Sequence, residues 1–284
     1  EYAEAHNNLG NIFNSLGALH EAVVSYRMAL AIKPDLAEAY YNLGNVLIEL
    51  GQLDEALENI RKALIIKPDY AEAYFSLGNF LSKVDKLDDA VASFKKAITI
   101  KPDYFEAHNN LGISLQDLGR HDEAVASYNK AIVIEPDYAE AYSNLGNTFR
   151  DLGRLDEAMA SCNKALTINP DFAEAHNNLG NALKELGRLD EAVTSYNKAL
   201  AVKPDYAEAY CNLSNVLQDQ GNIEDAVNQL DLALSYKPEK SGWLTRKALF
   251  LPVIPYSQED IINRRKELSE TVLALQDKKL IVED

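Results

Sequence analysis

Apolar residues fall at helical spacing in short blocks along this chain, and polar turns separate the blocks. From Ala37 onward, Tyr40, Leu43, Leu47 and Leu50 lie three or four residues apart and stripe one side of a helix. Gly51 follows, then Asp54 and Glu55, a second apolar run on Ala56, Ile60 and Ala63, and finally Pro68. The spacing predicts a helix pair, the first helix stopped by the glycine and the second by the proline. Asp54 and Glu55 at the second helix's start and Lys62 near its end suit the helix dipole. Asp-x-x-Glu runs from Asp35 to Glu38, Asp69 to Glu72, Asp103 to Glu106 and Asp137 to Glu140. Each predicts a capping box at the start of a first helix.

The block recurs. Pro34, Pro68, Pro102, Pro136, Pro170, Pro204 and Pro238 stand 34 residues apart with no insertion or deletion. A leucine–glycine pair keeps the same register from Leu9-Gly10 to Leu179-Gly180, with Leu213-Ser214 last. So do an alanine (Ala22 through Ala226), a bulky residue (Tyr26, Ile60, Phe94, Tyr128, Tyr196) and a second alanine (Ala29 through Ala233). A fixed period of this length means one unit stacked on itself. Helices this short are marginal alone, so neighbouring units must bury each other's apolar faces. The small residues Gly44 and Ala56 are expected where the helices of a pair cross, and Ala63 against the next unit.

Seven units, beginning at residues 3, 37, 71, 105, 139, 173 and 207, account for residues 1–240, with residues 1–2 as the remnant of a preceding unit. Residues 241–284 break the period and form a capping or connecting segment. Ser241 to Leu251 predicts one short helix, Pro252 and Pro255 interrupt the chain, and Ser257 to Gln276 predicts another. The chain starts inside a unit without an initiator methionine, so a fragment of a longer protein is expected. The exposed end of the first unit is then open to self-association.

These rows resemble the tetratricopeptide repeat over Ala3 to Lys240. The resemblance implies an all-α fold: a right-handed superhelix, or α-solenoid, of seven helix–turn–helix repeats, its first helices lining the concave side, with capping helices after them. Asp85 in place of the turn glycine, Ser214 in place of the helix glycine and Cys162 in an aromatic slot are local departures.

Charge narrows the function. Lys plus Arg total 28 against 44 Asp plus Glu, a net charge of −16. A nucleic-acid groove draws its affinity from cations, so nucleic acid is excluded as partner. No apolar run reaches 18 residues and no basic-then-apolar leader is present, so no membrane span or signal peptide is read. Cys162 lies on a buried stripe and Cys211 beside a first-helix aromatic; both read as reduced thiols of a cytoplasmic chain. His6, His108 and His176 share one register with Tyr40, Tyr74, Tyr142 and Tyr210, an aromatic packing slot. They lie a repeat or more apart with no cluster around them, so neither metal nor cofactor is expected. Phosphate loops, G-x-S-x-G and H-E-x-x-H are missing, and the acidic pairs recur at helix starts. No catalytic residues are assigned, and the chain reads as a non-enzyme.

What remains is one surface stripe. Asn8, Asn42, Asn110, Asn144, Asn178 and Asn212 recur once per unit, with Ser76 in the third. Asn11, Asn45, Asn79, Asn147, Asn181 and Asn215 form a second column, broken by Ile113. Glu4, Glu38, Glu72, Glu106, Glu140, Glu174 and Glu208 precede the first column by four residues. Glu49, Asp117, Asp151, Glu185 and Asp219 follow it by seven. Steps of 4, 3 and 4 place all four columns on one face. Asparagine is a poor helix former, so its repetition calls for another use. Its amide donates and accepts, as a peptide bond does, so a ladder of amides suits an extended backbone. Bonds between neighbouring units, or inheritance from duplicated rows, are the alternatives. Replacing Asn110, Asn144 and Asn178 by alanine is expected to spare melting and weaken partner binding.

Co-chaperone repeats that grip a C-terminal carboxylate project lysine and arginine from this face, and here the columns carry glutamate and asparagine. The ladder is instead similar to that of O-linked N-acetylglucosamine transferases and SPINDLY-type proteins. That resemblance implies a substrate-recognition array ahead of a separate glycosyltransferase domain. The string LPVIPYSQEDIINRRKEL also resembles the connector of bacterial SPINDLY-type transferases. The expected partner is a protein or extended peptide, with basic segments suggested by the glutamates. The competing reading is a structural scaffold with nothing in its groove.

Overall fold

A computed structural model of the protein describes residues 2–249 together with Ile262, Lys266 and Ser269. The described chain is helical throughout and divides into two compact bodies, Glu1–Ala141 and Tyr142–Asp284. In the first, α1 (Tyr2–Ser15) pairs with α2 (Leu19–Ile32), α3 (Ala37–Glu49) with α4 (Leu53–Ile66), α5 (Ala71–Lys83) with α6 (Leu87–Ile100), and α7 (Phe105–Asp117) with α8 (His121–Ile134). Helix α9 (Ala139–Asp151) spans the division. The second body continues with α10 (Leu155–Ile168), α11 (Ala173–Glu185) paired with α12 (Leu189–Val202), α13 (Ala207–Asp219) paired with α14 (Ile223–Tyr236), and α15 (Ser241–Leu249). This is the all-α, stacked-pair architecture of an α-solenoid.

Each pair closes as the small residues require. A Cβ on Gly112 would stand 2.6 Å from the Tyr128 ring, and one on Gly44 2.7 Å from Ile60 Cγ1. The leucine–glycine column is therefore where a first helix lies against the bulky residue of its partner. In the last unit the bulky residue is Leu230, and Ser214 fits opposite it: its hydroxyl donates to the Ala226 carbonyl at 2.6 Å. Between units, Ala22, Val23 and Tyr26 of α2 pack on Leu43, Val46 and Leu47 of α3. Ala63 joins Ala37, Tyr70 and Ala73 in the next such cluster.

The first helices end as the glycines predict. Gly51 takes φ 73°, the Gly51 N–H donates to the Ile48 carbonyl and the Gln52 N–H to the Leu47 carbonyl, a Schellman closure. Asp85 adopts the same turn at φ 57°. The second helices end two residues before the prolines, and Lys33, Pro34, Asp35 and Leu36 form a turn closed by the Leu36 N–H on the Lys33 carbonyl at 3.2 Å. Proline is at the second position there, where its fixed φ fits.

The capping boxes do not form at α3, α5 and α7. Helix α3 starts at Ala37 with Leu36 as its N-cap and no side-chain cap, and α5 and α7 begin likewise on Tyr70 and Tyr104. The aspartate belongs to the proline turn, one residue too early to cap. The dipole role of Lys62 is also displaced: it lies a turn before the end of α4 and pairs with Glu58 at 2.7 Å.

Helix α15 covers the last unit. Trp243 and Leu244 pack against Cys211, Ala226, Leu230, Ala233 and Leu234. The helix expected over residues 257–276 and the connector string at 251–268 lie outside the described residues, apart from Ile262, Lys266 and Ser269, which are helical.

Candidate functional site

The predicted columns sit on the first helices, and the two asparagine columns divide their hydrogen bonds differently. Buried tyrosines account for part of the second column. Tyr26 and Tyr196 are 1% and 0% exposed, and a buried hydroxyl needs a partner. Tyr26 donates to Asn11 Oδ1 at 2.9 Å and Tyr196 to Asn181 Oδ1 at 2.7 Å. In α7, where Ile113 interrupts the column, Tyr128 donates to Gln116 Oε1 at 3.2 Å instead.

First-column amides reach the preceding unit. Asn42 Nδ2 donates to Asn7 Oδ1 at 3.1 Å and to Asn11 Oδ1 at 3.0 Å. Asn178 Nδ2 meets Ser143 Oγ at 3.1 Å, and Asn212 Nδ2 meets Asn177 Oδ1 at 3.0 Å. Where the acceptor position holds Phe75, Asn110 Nδ2 turns to Asn79 Oδ1 at 2.7 Å. These bonds make the amides part of the stack, so alanine at Asn110 and Asn178 removes contacts between units as well as the ladder. Asn8, Asn144, Asn45, Asn147 and Asn215 keep the same registers on α1, α3, α9 and α13.

The acceptor position itself escaped the sequence reading. Asn7, Asn109, Ser143 and Asn177, each just before a ladder asparagine, are 2%, 0%, 1% and 5% exposed. The doublets Asn7-Asn8, Asn109-Asn110 and Asn177-Asn178 were its visible sign.

Among the described residues, Oδ1 of Asn42, Asn178 and Asn212 has no protein donor, and Nδ2 of Asn11, Asn79 and Asn181 has no protein acceptor. The buried side-chain atoms without a partner are His121 Nδ1 and His176 Nδ1, so these amide ends face solvent. One column thus presents acceptors and the other donors.

Carboxylates border them. Glu4 pairs with Lys33 at 2.8 Å, Glu174 with Lys203 at 3.0 Å, and Glu208 with Lys237. The Lys33 hydrogen bond holds the Glu4 carboxyl down at about 2. Glu140 accepts from Tyr138 at 3.2 Å and from Asn109 at 3.5 Å. In the later column Arg150 pairs with Asp151 at 2.6 Å and Glu185 at 3.6 Å, and Lys184 with Asp219 at 3.6 Å. Burial, then the Asp85 charge, pushes the Asp117 carboxyl up.

The histidines take the packing role expected, with one addition. His108 Nε2 and His176 Nε2 donate to the Pro102 and Pro170 carbonyls at 3.2 and 2.9 Å, tying each first helix to the preceding turn. A cavity of about 610 Å³ beside His176 is lined by Leu166, Pro170, Leu179, Lys198 and Val202, none of them in the four columns. Cys162 and Cys211 are free thiols, and burial pushes Cys162 up to about 12. Among the described residues no three His, Cys, Asp or Glu side chains gather as metal ligands, and no helix is long and apolar enough to cross a membrane.

Comparison with known proteins places this geometry. A family model described as "TPR repeat" matches residues 10–51, 44–84, 85–119, 114–149, 146–187 and 180–221. A second, "Tetratricopeptide repeat", matches residues 207–240. No curated protein is matched by the sequence. Among solved structures the chain is similar to PilW, a type IV pilus biogenesis factor, at 25% identity and TM-score 0.67, covering 76% of this chain and 99% of that one. It is similar to a thermophilic TPR protein of Thermus thermophilus at 24% identity and TM-score 0.58, covering 64% and 98%. The Cut9–Hcn1 structure matches at 18% identity and TM-score 0.66, covering 92% of this chain and 49% of that one. The last two likenesses carry the fold alone.

Proposed function

The chain belongs to the tetratricopeptide repeat family, and on that premise we propose that it is a non-catalytic protein-binding module. Its first-helix face holds an extended polypeptide by the main chain. The supporting observation is the division of the amides: Asn42, Asn178 and Asn212 expose acceptors, and Asn11, Asn79 and Asn181 expose donors. A peptide bond offers both complements, so a strand on either body can satisfy both columns there whatever its side chains. Asn8, Asn45, Asn144, Asn147 and Asn215 extend the columns. Two free buried thiols suit a reducing compartment, and we place the protein in the cytoplasm.

The test is alanine at Asn110, Asn144 and Asn178 together, with binding to an array of random-sequence peptides measured well below the melting temperature. Binding falls at least about tenfold, beyond what any loss of folded protein accounts for. Unchanged binding sinks the ladder.

The asparagine column, replaced only at Ser76, also supports a place in a larger protein: substrate recognition for an O-linked N-acetylglucosamine-type glycosyltransferase. In a protein joining this array to such a domain, the same variant lowers transfer to protein substrates and spares nucleotide-sugar hydrolysis. Equal transfer by both forms removes this reading.

A second reading rests on the first unit. Leu9, Ile12 and Leu16 are 40%, 56% and 74% exposed, while Leu43 and Val46, at the registers of Leu9 and Ile12, are 2% and 0% exposed. That face favours self-association of copies, in which the array acts as an assembly scaffold.

A further inference from the structure

The glutamate column is not uniform, and the difference falls on one stretch of the first body. Glu4, Glu174 and Glu208 are each neutralised by the lysine that ends their own unit's second helix. In the second and third units that lysine is present but makes no ion pair with its glutamate. Lys67 lies over the Tyr70 ring at 4.4 Å and Lys101 over the Tyr104 ring at 4.5 Å, whereas Lys203, over the Tyr206 ring at 4.8 Å, also reaches Glu174. In the fourth unit the position holds Glu135. Among the described residues, Glu38, Glu72 and Glu106 therefore have no cation within ion-pair distance. They occupy the same register on α3, α5 and α7, one turn ahead of Asn42, Ser76 and Asn110. Glu49 and Asp117 continue the negative face beyond the asparagines, with Lys83 as the cation at that register.

Resting on the peptide-holding reading above, we infer that the segment held on α3, α5 and α7 is rich in lysine and arginine. A neutral or acidic strand laid over these carboxylates strips their water and returns no charge. A strand with a cation opposite each one makes the ion pair that the chain's own lysines make at Glu4, Glu174 and Glu208. Because alternate side chains of an extended strand project to one side, amides can hold its main chain while glutamates meet its cations. The net charge of −16 draws the same class of partner at long range.

The experiment compares the wild type, the triple variant Glu38→Gln, Glu72→Gln, Glu106→Gln, and the control Glu174→Gln, Glu208→Gln on a random-sequence peptide array, at low and physiological salt. Peptides retained by the wild type are enriched in lysine and arginine, and added salt weakens them. The triple variant binds those peptides about tenfold more weakly, the combined effect of three exposed ion pairs, and binds neutral peptides as the wild type does. The control keeps the enrichment. Retention of neutral and basic peptides alike overturns this inference and leaves the peptide-binding reading standing. An equal loss in the control also overturns it, since the overall field would then be responsible. Retention of no peptide of any charge overturns both.

Discussion

At the scale of single residues, the glycines serve two separate purposes, and the two predict different costs. Gly112 has no room for a Cβ because the Tyr128 ring is 2.6 Å from where it would sit. Gly112→Ala overpacks that crossing and lowers stability by about 1–3 kcal/mol in urea unfolding. Gly119 has open space, but its φ is 72°; Gly119→Ala costs about 1–2 kcal/mol through the backbone alone. Both roles were legible, since the leucine–glycine pair and the turn glycine hold separate registers in the repeat. Asp85 occupies the second kind of position without being glycine, and its charge also opposes Asp117. Asp85→Gly therefore raises the urea midpoint. Asp117 carries a pH dependence of known sign. A carboxyl whose folded pKa lies above its unfolded value binds its proton more tightly in the native state. Its contribution is thus fully present below the unfolded pKa and is lost as pH rises through the folded one. Asp117→Asn should raise the midpoint at pH 7 relative to the wild type, and the gain should vanish under acid conditions where the aspartate is protonated.

Between elements, hydrogen bonds that the sequence spaced correctly found other partners. The Asp-x-x-Glu strings were read as caps, yet the proline turn claims the aspartate and helix α3 opens on Leu36 without one. The asparagine register was legible, but not the direction of each amide. That depends on which residue of the preceding unit lies opposite: Asn7 and Asn177 accept, whereas Phe75 cannot and Asn79 substitutes. The consequence is measurable in Asn42→Ala. Asn7 is 2% exposed, and losing its donor leaves a buried carbonyl oxygen unpaired. A penalty of about 1–3 kcal/mol follows, read by chemical denaturation. Asn42→Asp, which also lacks the amide donor, should not rescue it.

At the scale of the whole molecule, each body depends on what covers its apolar faces. Helix α15 covers the last unit through Trp243 and Leu244. Trp243→Ala should speed amide exchange in α13 and α14 while leaving α1 through α8 unchanged; equal acceleration everywhere would contradict a local cap. The first unit has the opposite condition, with Ile12 56% exposed where Val46 is fully covered. If copies associate through this face, Ile12→Glu abolishes the concentration dependence of the sedimentation coefficient without changing helicity.

The sequence alone determined the helix pairs, their register and the side each column occupies. These follow from local rules that act within one unit: a 3.6-residue period, glycine at positive φ, and proline's missing N–H. Only the tertiary structure decided how those columns are wired. Whether an asparagine amide presents its oxygen or its nitrogen depends on atoms of a neighbouring unit, and whether a glutamate meets a lysine depends on the far end of its own unit. The same register thus holds a paired carboxylate at Glu174 and unpaired ones at Glu38 and Glu72: all three lysines lie over tyrosine rings, but only Lys203 also reaches its glutamate. A repeat specifies position once for every unit, but pairing is settled unit by unit, by the atoms that the fold brings within reach.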